Sequence, residues 1–171
     1  MKLSIVLVEP EIPQNTGNIV RTCAVTGAKL HLVYPLGFAI DNKKMLRSGL
    51  DYWDKMDIEY HNSFEDFLEK YKPEETNMFM TSSKGEKCYS DVDYTKFKDE
   101  EVFLLFGKET KGLPEDFIQK YMDKTIRIPM REGQRCLNLS NSVAVISYEI
   151  LRQNNFEGLN TISPYFTEGH R

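Results

Sequence analysis

Six short apolar runs, at residues 3–8, 30–34, 57–60, 78–81, 102–106 and 125–128, punctuate a chain of 171 residues. Several are apolar almost throughout, the pattern of strands buried on both faces. Such strands need cover on both sides. Between most of them the period changes. Ile19, Val20, Cys23 and Ala24 fall on one helical arc, with Gly27 placed to end it. Ser63 and Asp66 form a capping-box pattern ahead of a stripe of Phe64, Phe67, Leu68 and Tyr71. Pro114 suits the first position of a helix that buries Phe117, Ile118, Tyr121 and Met122. A last helix is expected over residues 141–153, apolar on an arc broad enough for the core or a partner subunit. Strands alternating with helices predict an α/β domain, a mostly parallel sheet with flanking helices.

Residues 1–155 read as one domain. Residues 156–171, with Gly158, Pro164 and Gly169, read as a loosely ordered tail. The hydrophobic fraction of 40% and charged fraction of 28% are ordinary for a globular chain. No run is long enough to span a bilayer. The apolar amino-terminal run meets Glu9-Pro10 too soon for a signal sequence, so the cytoplasm is the expected location. Cys23, Cys88 and Cys136 show no paired spacing, and His31, His61 and His170 are scattered. No disulfide framework and no metal are expected, and His31 and His61 read as structural.

The net charge of −4 speaks mildly against a nucleic-acid partner, because phosphate contacts require Lys and Arg. Local patches can outweigh a global charge. The candidates are Lys43, Lys44 and Arg47; Lys108 and Lys111; and Arg127, Arg131 and Arg135. Each taken alone also reads as a solvated surface.

Ligands of parallel α/β sheets gather where strands end, which directs attention to the loops that follow them. The first loop runs Glu9-Pro10-Glu11-Ile12-Pro13-Gln14-Asn15-Thr16-Gly17-Asn18 and opens the helix that carries Arg21. Backbone amides, Asn15 and Arg21 could form a phosphate site there, or simply a capped helix with a surface arginine. The second, Gly107-Lys108-Glu109-Thr110-Lys111-Gly112-Leu113-Pro114, has two glycines five apart. It is not a P-loop, because Leu113-Pro114 stands where Lys and Ser or Thr are required. Glu109 could hold a hydroxyl or an amine, or pair with Arg21 or a lysine. The third, from Pro129 to Asn141, ends in Asn138-Leu139-Ser140-Asn141, with Ser140 a plausible N-cap. That is more side-chain hydrogen bonding than one cap needs.

Together these loops resemble the SPOUT superfamily of RNA methyltransferases. Asn15-x-Gly17-x-x-x-Arg21 resembles its first motif. Phe106-Gly107-x-Glu109-x-x-Gly112-Leu113 resembles its second. Ile128-Pro129-Met130, followed by Leu137-Asn138-Leu139-Ser140-Asn141, resembles its third. The run Glu9 to Asn18, Gly37-Phe38 and Gly49-Leu50-Asp51-Tyr52 are similar to the minimal subfamily that methylates the wobble nucleotide of leucine tRNAs.

The resemblance implies a carboxyl-terminal trefoil knot, against the ordinary rules of connection. It implies a homodimer, S-adenosylmethionine as methyl donor, and ribose 2′-O-methylation of cytidine or uridine 34 in the tRNA anticodon loop. Carried over by motif, the cofactor positions are Met80, Gly107, Ile128, Cys136 and Leu137, with Cys136 standing where relatives often have Ser. The catalytic set is Arg21, Asn15, Glu109 and Ser140. The RNA-binding set is Arg21, Lys108, Arg131, Arg135, Asn138 and Asn141. Tyr52 could stack on a base, whereas Trp53 better suits a core or interface role. The alternatives are a non-catalytic RNA-binding or assembly factor of the same fold, and a 2′-O-methyltransferase of another RNA.

Overall fold

The computed structural model describes residues 1–40, 53 and 56–163. Lys43, Lys44, Arg47, the segment Gly49 to Tyr52, and the end of the expected tail lie outside the described residues.

Among the described residues, seven strands form one all-parallel sheet: β1 Lys2–Val8, β2 Lys29–Val33, β3 Ile58–His61, β4 Asn77–Thr81, β5 Lys87–Cys88, β6 Glu101–Phe106 and β7 Thr125–Arg127. Their order across the sheet is β3-β2-β1-β6-β4-β7-β5. Four α-helices are described: α1 Pro13–Thr26, α2 Phe64–Lys70, α3 Glu115–Lys120 and α4 Leu139–Gln153. The alternation of β1 shows why helices lie on both faces. Leu3, Ile5 and Leu7 join Ile19, Val20 and Cys23 of α1 and Val143, Ile146 and Ile150 of α4 in one buried cluster. Val6 and Val8 join Phe64 and Phe67 of α2 and Ile118 of α3 in the other. Period-2 strands and period-3.6 helices thus give three layers.

The six expected strands are present, each within one or two residues of its expected bounds. The two-residue strand β5 has no sequence signal of its own. It pairs with β7 through Lys87 and Cys88, and a dipeptide carries no readable period. Gly27 ends α1 in the left-handed region, at φ 74°. Ser63 accepts from the Asp66 amide at the start of α2. Two expected boundaries shift. Pro114 stands just before α3 rather than inside it. Helix α4 begins at Leu139, two residues early, because Asn138 and not Ser140 is its N-cap. After α4 the chain keeps turning through hydrogen bonds from Phe156 N to Leu151 O and Leu159 N to Phe156 O. The first residues of the expected loose tail are therefore tied to the helix. Trp53 is half-buried against the α1–α4 core.

Candidate active site

Helix α1 starts without a cap of its own. Ile12 stands at the N-cap position and has no side-chain oxygen to offer. The carboxylate of Glu109, from the loop after β6, takes that role from a distance of nearly one hundred residues. It accepts from the backbone amides of Glu11 at 2.7 Å and Ile12 at 3.2 Å, and from the side chain of Asn15 at 3.0 Å. An anion at this end of α1 also suits the helix dipole. The favour is returned: Glu11 accepts from the amide of Thr110 at 3.0 Å and from its hydroxyl at 2.8 and 3.0 Å. These bonds hold the Glu11 carboxyl below its usual range. Lys108 and Glu9 form a further ion pair between the same two loops.

The third loop joins through Asn138. Its amide donates to Asn15 Oδ1 at 2.9 Å, and its own oxygen accepts from Ser140 N at 2.9 Å and Ser140 Oγ at 2.7 Å. A continuous line of hydrogen bonds therefore runs Glu109–Asn15–Asn138–Ser140. It links the ends of β1, β6 and β7. Asn15 and Ser140 are buried in it.

Glycine makes the second loop possible. A Cβ on Gly107 would stand 2.0 Å from the carbonyl carbon of Gly112, and Gly112 itself is left-handed at φ 71°. The loop folds back so that Gly112 N bonds Lys108 O at 2.8 Å. Gly37 supports the first loop in the same manner. Its amide bonds Pro10 O at 2.9 Å, and a Cβ there would meet Glu11 Cα at 2.7 Å.

The three loops surround a cleft of about 770 Å³ at the carboxyl ends of β4, β6 and β7. Its apolar wall includes Phe106, Ile126, Ile128, Leu137 and Leu139. Its polar wall includes Asn15, Thr81, Ser82, Glu109 and Asn138, with Lys84, Lys108, Lys111, Glu115 and Arg135 supplying charge. A mostly apolar cleft of this size with a few polar groups suits a small organic ligand.

Of the residues singled out from sequence, the wall brings together Asn15, Gly107, Lys108, Glu109, Ile128, Arg135, Cys136, Leu137 and Asn138. Among the described residues it does not include Arg21, Met80, Arg131, Ser140 or Asn141. Arg21 lies exposed on α1, Arg131 exposed in the third loop and Asn141 exposed in the first turn of α4. Met80 is wholly buried one residue inside the end of β4, and the neighbouring Thr81 and Ser82 line the cleft instead. The side chain of Asn15 is engaged at both of its polar atoms, its N–H by Glu109 and its oxygen by Asn138. Glu109 caps α1 rather than offering a bare carboxylate. The loop after β4, Ser82-Ser83-Lys84-Gly85, was missed. The rule that ligands collect at strand ends applied to it equally.

His31 and His61, distant in sequence, lie side by side on β2 and β3. Their Nδ1 and Nε2 atoms are 3.1 Å apart, with Glu59 within 4.0 Å. Among the described residues this is the one trio whose ligand-type atoms come close enough for a metal ion. Its carboxylate is already filled by Lys29 and Lys70, each at 2.7 Å, and Tyr71 at 3.0 Å. The rings of Phe67, Tyr71 and Phe103 box in His31. Two ammonium groups supply the charge that a cation would bring, which makes the trio a structural element. The three cysteines are free.

The match to a family model runs over residues 2–148 and is to the SpoU rRNA Methylase family. The chain belongs to that family. A relative in Yersinia pestis, named tRNA (cytidine(34)-2′-O)-methyltransferase, is 45% identical over 160 residues, 91% of this chain and 96% of its own. A solved structure concerned with the 2-OH methylation of C/U34 on tRNA superposes with a TM-score of 0.82 at 42% identity, covering 91% of this chain and 98% of that one. The SpoU methyltransferase AviRb from Streptomyces viridochromogenes, in complex with the cofactor AdoMet, gives 0.73 at 27% identity over 90% of this chain and 58% of its own. Among the described residues no helix is long and apolar enough to cross a membrane.

Proposed function

We propose that the chain transfers a methyl group from S-adenosylmethionine to the ribose 2′-oxygen of nucleotide 34, cytidine or uridine, in leucine tRNAs. The observation that carries this reading is the line Glu109–Asn15–Asn138–Ser140, which stitches three strand-end loops around one cleft. Relatives 42% and 45% identical over 91% of the chain are named tRNA (cytidine(34)-2′-O)-methyltransferase.

The cleft fits the donor. Phe106, Ile128 and Leu137 offer apolar surface for a base, and Gly107 lets the backbone come close to it. When bound, the donor supplies an electrophilic methyl on a sulfonium. The chain's part is to position the acceptor hydroxyl and to stabilise the charge that develops on its oxygen. Arg21, two turns along the helix that Glu109 caps, is the residue for this. Exposed on α1 and off the cleft wall of its own protomer, it would act on the site of the partner subunit in the homodimer, where its planar fork clamps a phosphate of the anticodon loop and stabilises the developing alkoxide. Asn15, Glu109 and Ser140 keep the loops in register. Lys108, Arg131, Arg135, Asn138 and Asn141 serve the RNA, which presents splayed bases and an accessible 2′-hydroxyl.

The functional unit is taken as a homodimer formed by residues 1–155, with a carboxyl-terminal trefoil knot. Exposed Val145 and Tyr148 on α4 and Val25 on α1 favour an added subunit. The return of the chain from β7 to pack α4 against α1 favours the knot.

The test is transfer of labelled methyl from S-adenosylmethionine to total bacterial tRNA, with the product mapped by nuclease digestion and mass spectrometry. The expected product is a 2′-O-methyl at nucleotide 34, lost in Arg21→Ala and reduced at least a hundredfold in Arg21→Lys. Full turnover of Arg21→Lys would remove the clamp role. Cofactor binding without transfer would point to another RNA, and absence of both would leave a non-catalytic RNA-binding factor.

A further inference from the structure

We infer that Lys84 and Glu115 together bind the α-amino-acid end of the methyl donor. The inference deepens the proposed function and rests on it. Among the described residues, Lys84–Glu115 is the one ion pair with both members on the cleft wall, at 2.5 Å. The other charges on the wall are committed or single. Glu109 is filled by three N–H donors. Lys108 pairs with Glu9, which is not on the wall. Glu11, not on the wall either, holds Thr110 and attracts Lys111.

The pair contributes little to holding the fold, since its side chains are 61% and 63% exposed and such pairs are worth a fraction of a buried contact. Its backbone, by contrast, is held firmly. Ser82 N bonds Ile126 O at 3.0 Å, Gly85 N bonds Ser82 O at 3.2 Å, and Lys84 N bonds Ser82 Oγ at 3.1 Å. Gly85 lies so close to β7 that a Cβ would meet the Ile126 carbonyl carbon at 3.0 Å. Lys84 therefore projects from a fixed turn beside the loop of Gly107, one strand away at roughly 5 Å spacing.

An amino-acid end carries a carboxylate and an ammonium on one carbon. The carboxylate takes the place of Glu115 at Lys84, and the ammonium takes the place of Lys84 at Glu115. Two charge-assisted contacts replace one, and the net charge of the site does not change.

Isothermal titration of the purified protein with S-adenosylhomocysteine and with 5′-methylthioadenosine separates this role from others. Both compounds carry the nucleoside thioether, and the second lacks the amino-acid end. Lys84→Met should weaken the first about tenfold or more and the second less than twofold. Glu115→Gln should move in the same direction by a smaller factor. Equal weakening of both compounds would overturn the inference, because Lys84 would then shape the cleft as a whole. Unchanged binding of both, with a raised KM for tRNA, would overturn it in favour of a phosphate contact. Failure of the unsubstituted protein to bind either compound would instead remove the proposed function itself.

Discussion

Asn138 reaches back over 123 residues of chain to donate its side-chain N–H to Oδ1 of Asn15, at 2.9 Å. The orientation is forced. Asn15 already gives its own N–H to the Glu109 carboxylate, an acceptor, so its oxygen must face Asn138. Asn138 in turn commits its oxygen to the first turn of α4. Replacing Asn138 by Asp keeps that cap and removes the donor. Two oxygens would then face one another across the Asn15 contact. We expect Asn138→Asp to change Tm by less than about 4 °C, near 1 kcal/mol, while methyl transfer falls at least tenfold. Calorimetry beside a transfer assay checks this; equal loss of both would make the bond merely structural.

Gly107 is the point where the second loop closes on itself. A methyl group there would stand 2.0 Å from Gly112 C and 2.1 Å from Leu113 N, and both neighbours are backbone. No side-chain rotation relieves that contact. Gly107→Ala should cost about 3 kcal/mol and lower Tm by roughly 6–12 °C. Donor binding should be lost with the loop. Gly27→Ala is the comparison, because a Cβ at Gly27 meets nothing within 4 Å and its cost comes only from the left-handed φ. Unchanged Tm and donor affinity in the Gly107→Ala protein would contradict the close approach.

The pair His31–His61 makes stability depend on acid. Burial first, then the neighbouring lysines and His61, hold His31 down to about 3, from 6.5, against the pull of Glu59. His61 is lowered as well, chiefly by burial. Burial alone would raise Glu59, but hydrogen bonds from Lys29, Lys70 and Tyr71 bring it to about 2. A histidine lowered by folding stabilises the fold while neutral, so its contribution is full above pH 6.5 and falls as the pH drops toward 3. The Glu59 contribution is lost in the same direction, below about 4.5. Between pH 6.5 and 5 the histidines dominate, with a slope of up to about 1.4 kcal/mol per pH unit for each proton taken up. Urea unfolding at several pH values should show this slope, flattened in His31→Phe. A His31→Phe slope equal to that of the unsubstituted chain would assign the acid sensitivity elsewhere.

Tyr148 and Val145 of α4 are exposed at 45% and 37%, on a helix whose other face buries Val143, Ile146, Ile150 and Leu151. A charge placed there tests whether the face is covered. We expect Tyr148→Glu to shift sedimentation from dimer to monomer with little change in Tm per protomer. A monomer in both proteins would leave the apolar face to solvent.

The layered architecture was legible because strands buried on both faces leave near-continuous apolar runs, as Leu104-Leu105-Phe106 does. Part of the cleft wall was legible in the sequence, its wiring less so, and Arg21, Met80, Arg131, Ser140 and Asn141 lie off that wall. Asn15, Glu109 and Asn138 stood out as polar groups at strand ends, yet their partners are fixed by the sheet order, which puts β6 beside β1. Periodicity holds no such information. The same limit hid the neighbours His31 and His61. They meet because β2 pairs with β3 in a register that sets His31 opposite Glu59. Ser140 was placed at the helix start by residue type, whereas Asn138 sits two residues earlier with a non-helical backbone (φ −53°, ψ 142°), as a cap needs. The turn Ser82 to Gly85 carries no motif or period that sets it apart, and only its place on the cleft wall gives Lys84 meaning.

The line from Glu109 through Asn15 to Asn138 joins the first fifteen residues of the chain to the last helix. On the ribosome, the first loop and the loop that carries Glu109 can fold while residues 138–140 are still in the exit tunnel. Until those residues emerge, Asn15 has one neighbour of two and the cleft lacks a wall. A nascent or prematurely terminated chain would therefore hold neither donor nor RNA in working order, and competence would arrive with the final helix in a single step.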